Sequence, residues 1–352
     1  MLSHTRADPP LETLFRPFVT GQLAWPQGGV LFLRARAGGV LHERSWPGLE
    51  CVQSFKPDAD ALEQAGLRVT REVATEISRR FEIVLVLPPR QRDEARALLA
   101  YAMLAAAEGG RVVVAAANQE GARSLEDDLV ALSGPVTTLV KNKCRVAWTQ
   151  PLSQSSMNAR VEEWRRLDDV RPIADGRFLS RPGVFAWDRI DVASALLARH
   201  LPSNLRGRAA DLGASFGYLS AELLERCPAI SALDAYEAED RALSLARKNL
   251  AKYETRVPIR YVWSDVARGL DETYDVIVTN PPFHTGQAAQ PQIGRQFIAS
   301  AAAALGPRGR LWLVANRQLP YESALHEGFA EVRAVAQEHG FKIIEAVKSP
   351  RA

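Results

Sequence analysis

The chain has 352 residues, 47% hydrophobic and 24% charged, which suits a folded globular protein with room for two domains and excludes a mostly disordered or fibrous one. Forty-four Lys and Arg against 41 Asp and Glu leave a net charge of +3, too small to require a polyanionic partner and compatible with one only where basic residues cluster. No run approaches the ~18 apolar residues of a membrane span. The segment MLSHTRADPPLETLF has no cationic patch followed by an apolar stretch. Three scattered cysteines, Cys51, Cys144 and Cys227, suit neither a disulfide framework nor a zinc site. A soluble cytoplasmic protein is expected.

In chain order, VLFLRA at Val30–Ala35 predicts a strand, and LEQAGLRV at Leu62–Val69 a short helix and strand. FEIVLVLPPR from Phe81 reads as a strand ending in a Pro-Pro turn. QRDEARALLAYAMLAAAEGG follows with helical Ala/Leu spacing and a Gly-Gly stop, then RVVVAAAN as a buried strand and SLEDDLVAL as a helix. Between about Thr149 and Pro182 periodicity loosens, apart from an amphipathic turn around Val161–Arg166, so domains are expected at 1–170 and 171–352. A sharper α/β series follows: DVASALLARH helical, RAADLGA a strand, YLSAELLERC helical, ISALDAYE a strand, DRALSLARKNLAKY helical. IRYVWSD, DVIVTN and GRLWLVAN are then strands, with QFIASAAAALG a helix between the last two and FKIIEAVK a final strand. Both halves are thus α/β, and the same architecture is suspected twice.

Asp211-Leu-Gly213-Ala-Ser215-Phe-Gly217 lies between a strand and a helix. Gly213 and Gly217 lack Cβ atoms and would let a ligand approach the backbone, and the helix from Tyr218 offers unpaired N–H groups. The G-x-x-x-G spacing is not that of a dinucleotide fold, and no G-K-[ST] follows, which excludes a P-loop. The next strand ends in acids, Asp234 and Glu237, where such folds place a carboxylate on ribose hydroxyls. Glu237 lies at the strand's end and Asp234 inside it, so Glu237 is chosen. Asp265, in VWSD, ends the following strand and could accept a hydrogen bond from an adenine amino group.

In Asp275-Val-Ile-Val-Thr-Asn280-Pro281-Pro282-Phe283-His284 a strand runs straight into Asn-Pro-Pro. The prolines stiffen the turn and remove its N–H donors, leaving the Asn280 amide oxygen and the Pro281 carbonyl as two acceptors aimed at one cleft. Such a pair suits an exocyclic amino group on a planar ring, which Phe283 can stack against.

Asp211–Gly217, Glu237, Asp265 and NPPFH together resemble class I S-adenosylmethionine-dependent methyltransferases of the N-P-P-[FY] amino-methylating type. PGVFAWDRID (Pro182–Asp191), NPPFHTG (Asn280–Gly286), VANRQLPY (Val314–Tyr321) and GFKIIEA (Gly340–Ala346) more narrowly resemble the ribosomal RNA guanine-N2 methyltransferases of the RsmC/RlmG family. LPPRQRDEARALLAYAM, AANQEGARSLEDDL and VTTLVKNKCRV resemble that family's amino-terminal domain. The resemblance implies two tandem Rossmann-like α/β methyltransferase domains. The first, 1–170, is degenerate and positions RNA; the second, 171–352, is catalytic. It implies S-adenosylmethionine held by Asp211, Gly213, Ser215, Gly217, Glu237, Asp265 and Asn280, and catalysis by Asn280, Pro281 and Phe283. It departs at DLGASFG, where the family has D-x-G-C-G-x-G: Ser215 replaces the middle glycine and sets a Cβ near the cofactor's methionine part.

The implied reaction is N2-methylation of a guanine in ribosomal RNA, with small-subunit 16S rRNA favoured over 23S. Ribosomal RNA or a ribosomal subunit is the expected partner, with no membrane, no metal and a monomeric chain. Arg90, Arg92, Lys141, Lys143 and Arg145 are candidate phosphate contacts in the first domain. Phe185 and Asn316 are candidates at the border of the site, and His284 could assist proton transfer or orient the loop. Methylation of a protein glutamine or a DNA adenine is the rival within enzymes. A non-catalytic RNA-binding assembly factor, favoured by Ser215, is the rival outside them.

Overall fold

Short apolar runs alternating with helical spacing build two α/β units, Met1–Val170 with Arg181–Gly183, and Arg171–Ser180 with Val184–Ala352. The computed structural model describes residues 8–73, 76–282, 284–285, 288–289 and 291–350.

The first unit contains α1 (Pro9–Val19), β1 (Val30–Leu33), α2 (Gly39–Glu43), β2 (Leu49–Val52), α3 (Lys56–Gln64) and β3 (Val69–Thr70). It continues through β4 (Phe81–Val86), α4 (Arg92–Ala105), β5 (Ala106–Ala117), α5 (Ala122–Ser133), β6 (Val136–Lys141), β7 (Cys144–Thr149) and α6 (Ala159–Arg165). Its sheet runs β3-β2-β1-β4-β5-β7-β6. Strands pair in parallel except where β7 meets β5 and β6. All four residues of β1 are buried, as a central parallel strand requires. Helix α1 is not among the elements expected from the sequence. It starts at Asp8, whose carboxylate accepts from Leu11 N–H at 3.1 Å ahead of two prolines. Its buried Leu11, Leu14, Phe15 and Phe18 form one apolar face, and Phe15 packs on Trp46 with ring centroids 4.8 Å apart.

The second unit begins with the hairpin β8 (Arg171–Ile173) and β9 (Phe178–Ser180). There follow α7 (Val192–His200), β10 (Arg206–Leu212), α8 (Tyr218–Arg226), β11 (Ala229–Glu237), α9 (Asp240–Leu250), β12 (Ile259–Trp263) and β13 (Tyr274–Thr279). The chain closes with the two-residue strands β14 (His284–Thr285) and β15 (Ala288–Ala289), then α10 (Pro291–Ala304), β16 (Leu305–Asn316), α11 (Glu322–Gly328), β17 (Glu331–Glu338) and β18 (Phe341–Val347). The main sheet runs β12-β11-β10-β13-β16-β18-β17, the order of the first sheet repeated. Helices α7, α8 and α9 bury Leu196, Leu223 and Leu245 in one apolar layer, and α10 and α11 bury Ile298 and Leu325 in the other.

Two expected boundaries move. The Ala-rich helices predicted to run to Gly110 and Gly306 end at Ala105 and Ala304, and β5 and β16 begin at the next residue. Phe81 pairs with Ala106 and Tyr274 with Leu305, each followed by a register shift, so sheet pairing takes residues that alanine's helix preference would have kept.

Registers make the two sheets comparable residue by residue. Ile83 pairs with Val30 and Val276 with Ala209, and Leu33 pairs with Val52 as Leu212 does with Tyr236. Counting onward, Arg34 stands where the second unit has Gly213, Gln53 where it has Glu237, and Leu87-Pro88-Pro89 where it has Asn280-Pro281-Pro282.

Asp234 lies within β11 and is buried. It accepts from Arg208 and Arg260 at 2.8 Å and from the Tyr274 hydroxyl at 2.6 Å. Burial pushes its carboxyl pKa up, but hydrogen bonds from Arg260, Tyr274 and Arg208 outweigh that and hold it below the usual range. Asp234 therefore braces the sheet.

Candidate active site

Strand β10 delivers the bend 213–217. Gly213 and Ala214 N–H both donate to the Tyr236 carbonyl at 2.9 Å, and Gly217 N–H donates to the Ala214 carbonyl at 2.8 Å. Ser215 takes a left-handed φ of 50°, and its N–H donates to Glu237 Oε2 at 2.7 Å. From α9, Asn249 donates to the Phe216 carbonyl at 2.8 Å and the Leu179 carbonyl at 2.9 Å, and accepts from Leu179 N–H at 2.8 Å. One buried carboxamide thus fastens the bend to β9.

Strand β13 delivers Asn280. Its Nδ2 donates to Asp191 Oδ2 at 3.0 Å and to Ser194 Oγ at 2.9 Å. Asp191 is the N-cap of α7 and accepts from Ser194 N–H at 2.8 Å. With the amide nitrogen engaged there, Asn280 Oδ1 is left buried without a partner. A cavity of about 40 Å³ joins Asn280 to Gly213, Ala214 and Ser215, with Phe185 and Asp191 also in its wall. Ser215 Oγ is a second buried polar atom without a partner. Buried polar groups are almost always paired, so two orphans on residues of one cavity wall point to a ligand.

The cavity brings together Gly213, Ser215 and Asn280 with Phe185 at its border; among the described residues Asp211, Gly217, Glu237, Asp265 and Pro281 are off its wall. Asp211 sits within β10, buried. Its Oδ2 accepts from Ser220 Oγ at 2.7 Å while Oδ1 has no partner, and burial raises its pKa to about 7. Glu237 ends β11, accepts from Glu239 N–H at 2.8 Å besides Ser215, and is pushed up by burial. Asp265 follows β12, accepts from Ala267 N–H at 3.0 Å and lies 3.5 Å from Arg268. Gly217 has φ at 92°, and a Cβ there would lie 3.2 Å from Leu250. Its missing side chain serves the turn and the packing of α9. Pro281 is buried and Pro282 exposed, and Phe283 lies outside the described residues. His284 is described only as part of β14. Phe185, 55% exposed, stands at the cavity. Asn316 is not on its wall and accepts from Gln318 N–H at 3.0 Å, capping a turn. Asp191 and Ser194 escaped the sequence reading as site residues. Their only local signal, an Asp three residues before a Ser, describes a helix cap.

Among the candidate phosphate contacts, Arg90 pairs with Glu120, Arg145 with Glu126, and Arg92 lies 3.7 Å from Asp128. Lys141 and Lys143 flank the β6–β7 turn, with Asn142 and Lys143 at positive φ. Among the described residues no helix is long and apolar enough to cross a membrane, and no His, Cys, Asp and Glu cluster could hold a metal.

A family model described as "Methyltransferase small domain" matches residues 175–345. Of the solved structures, T. thermophilus 16S rRNA N2 G1207 methyltransferase (RsmC), in complex with AdoMet and guanosine, superposes with a TM-score of 0.78 at 25% identity, over 98% of this chain and 93% of that one. Over nearly its whole length the chain is similar to RsmC, a class I methyltransferase. Curated relatives agree. The ribosomal RNA small subunit methyltransferase C of Psychromonas ingrahamii is 25% identical over 270 residues, 76% of each chain. That of Alcanivorax borkumensis is 34% identical over 205 residues, 57% of this chain and 59% of its own. The family cofactor is S-adenosylmethionine. The orphaned Ser215 Oγ, Gly213 on the cavity wall and the acid ending β11 fit it.

Proposed function

We propose that this enzyme methylates the 2-amino group of a guanine in ribosomal RNA, with small-subunit RNA its target and the cytoplasm its place of work. The observation that carries the reading is the Asn280 carboxamide, tied through its nitrogen with its oxygen unpaired beside the 213–217 bend. The near-complete coverage of the guanosine-bound T. thermophilus enzyme supports guanine over glutamine or adenine.

S-adenosylmethionine, when bound, supplies a sulfonium-activated methyl group. Gly213 and Ser215 would face its methionine part and Glu237 its ribose; Asp211 would support the bend from below and Asp265 would face the adenine. Asn280 Oδ1 accepts one N–H of the guanine amino group and the Pro281 carbonyl accepts the other. These acceptors oppose delocalisation of the nitrogen lone pair into the ring and stabilise the positive charge that develops there. Phe283 stacks on the base. Once methylated, the nitrogen is acidic enough to lose its proton to water, so the site needs no strong base. The first unit positions the RNA, with Lys141 and Lys143 as phosphate contacts.

The assay incubates the protein with small-subunit RNA or subunits and methyl-labelled S-adenosylmethionine, then digests to nucleosides. Label in N2-methylguanosine is expected. Asn280→Ala should lower turnover by about 10²–10³-fold, the usual loss for one preorganised polar contact to a reacting group, with cofactor affinity nearly unchanged. Wild-type turnover by that variant, or label found only on protein glutamine or adenine, defeats the reading. Ser215 favours a second one, a non-catalytic RNA-binding assembly factor, because its side chain occupies the wall where the family has glycine. Calorimetry with S-adenosylmethionine separates the two.

A further inference from the structure

We infer that Asp191 and Ser194 are positioning residues that fix which end of the Asn280 carboxamide faces the amine to be methylated; the inference rests on the methyl-transfer reading above. An asparagine amide has nearly the same shape after half a turn about its last bond, yet the two orientations are chemically opposite. With oxygen inward it accepts from the substrate amine. With nitrogen inward it presents donors to a donor, and the grip is lost. Proline stiffens the backbone after residue 280 but says nothing about that rotation.

The choice is made by what lies behind the amide. The Asp191 carboxylate, when ionised, only accepts. It receives Asn280 Nδ2 at 3.0 Å while Ser194 Oγ receives the same nitrogen at 2.9 Å. Turning the amide over would set its oxygen against the Asp191 carboxylate and forfeit a charge-assisted hydrogen bond. Asp191 is itself held in place, since its Oδ2 also accepts Ser194 N–H at 2.8 Å as the cap of α7. That helix is anchored by buried Ala193, Leu196 and Leu197. The acceptor on the reacting side is therefore aligned from a packed helix 89 residues away in sequence.

The test separates alignment from capping and from the reading itself. Asp191→Ser keeps a good helix cap but brings no carboxylate to Asn280. It should lower kcat about tenfold or more, since small misplacements of reacting groups cost up to about 10²-fold. KM for RNA and Kd for S-adenosylmethionine should stay within about threefold and the thermal midpoint near wild type. An exchange pair provides a check that a folding defect cannot mimic. Asn280→Asp alone sets two carboxylates face to face and should be crippled. Asp191→Asn added to it restores a donor–acceptor pair, because the amide nitrogen it introduces can donate while its amide oxygen still accepts Ser194 N–H as the helix cap. The double variant should regain at least about tenfold in kcat. If Asp191→Ser turns over like wild type while Asn280→Ala is dead, or the exchange pair does no better than Asn280→Asp, the positioning role is overturned and methyl transfer by Asn280 stands. If Asn280→Ala is itself active, the underlying reading fails instead.

Discussion

Asp211 lies buried beneath the cofactor bend, with one oxygen on Ser220 and the other unpaired. Burial, resisted by the Ser220 hydrogen bonds and reinforced by Glu237, raises its pKa from 3.8 to about 7. Between those values the folded protein binds the proton and the unfolded chain does not. The stabilisation is therefore complete below 3.8 and disappears as pH climbs to 7. At about 1.4 kcal/mol per pH unit, roughly three units correspond to about 4 kcal/mol in all, of which about 3 kcal/mol is lost between about pH 5 and 8. Asp211→Asn keeps the shape and removes the titration. Urea denaturation of both proteins at each pH isolates the effect, because every other group is shared. Wild type should lose about 3 kcal/mol relative to the variant on going from the acidic to the alkaline buffer. A difference that does not change with pH would mean that the Asp211 environment is not dry, and the reasoning would fall.

Three further outcomes follow from the bend and from the first unit. Gly217→Ala forces a side chain into φ 92° and against Leu250, and should cost about 1–3 kcal/mol in denaturation; a neutral result would contradict the packing described. Ser215→Gly relieves a left-handed non-glycine residue and removes an unpaired hydroxyl. It should weaken S-adenosylmethionine binding by about 1 kcal/mol, whereas unchanged or tighter binding would remove Ser215 Oγ from the cofactor contacts. Lys141→Ala and Lys143→Ala should each reduce the slope of log affinity for RNA against log salt by about 0.7–0.9, and an unchanged slope would remove them from the phosphate contacts.

The sequence discloses elements well where two local signals coincide and poorly where a tertiary partner decides. The DVIVTN run into Pro-Pro and the ISALDAYE run into a helix start mark both their strands and their tips, so β13 and β11 are readable by eye. The Ala-rich stretches before β5 and β16 are not, because alanine fits the last helical turn and the first pleat equally well and only pairing with Phe81 and Tyr274 divides them. Strand β17, EVRAVAQE, is half-exposed and polar, and is a strand because β18 lies beside it. At the site, Asn280 and the bend were legible as motifs. Asp191 was not, since its link to Asn280 exists only after β13 and α7 have packed into one unit. Gly217 carries a packing duty against Leu250 of α9 that the sequence alone does not show.

The doubled topology raises a question that motifs alone do not answer, whether both units hold a cofactor. The registers allow it to be argued position by position. At the place of Gly213 the first unit has Arg34, whose guanidinium lies 3.1 Å from Glu94. At the place of Glu237 it has Gln53, whose amide is consumed locally, donating to the Ala35 carbonyl at 2.7 Å and accepting from Phe55 N–H at 2.9 Å. At the place of Asn280 it has the buried Leu87, whose side chain can accept nothing. The cleft is still there, about 560 Å³, so space is not what excludes the nucleoside. Its wall carries Arg34, Arg36, Arg90 and Arg92 opposite Asp58, Glu94, Glu120 and Asp128. A sulfonium nucleoside would find there neither a glycine-bearing strand-to-helix bend nor an unpaired hydroxyl like that of Ser215. Calorimetric titration should therefore give one S-adenosylmethionine per chain, and Asn280→Ala should leave that stoichiometry alone. A second equivalent of comparable affinity would show that the first unit binds the cofactor without those groups, and the residue-by-residue account of cofactor selection in the second unit would fail with it.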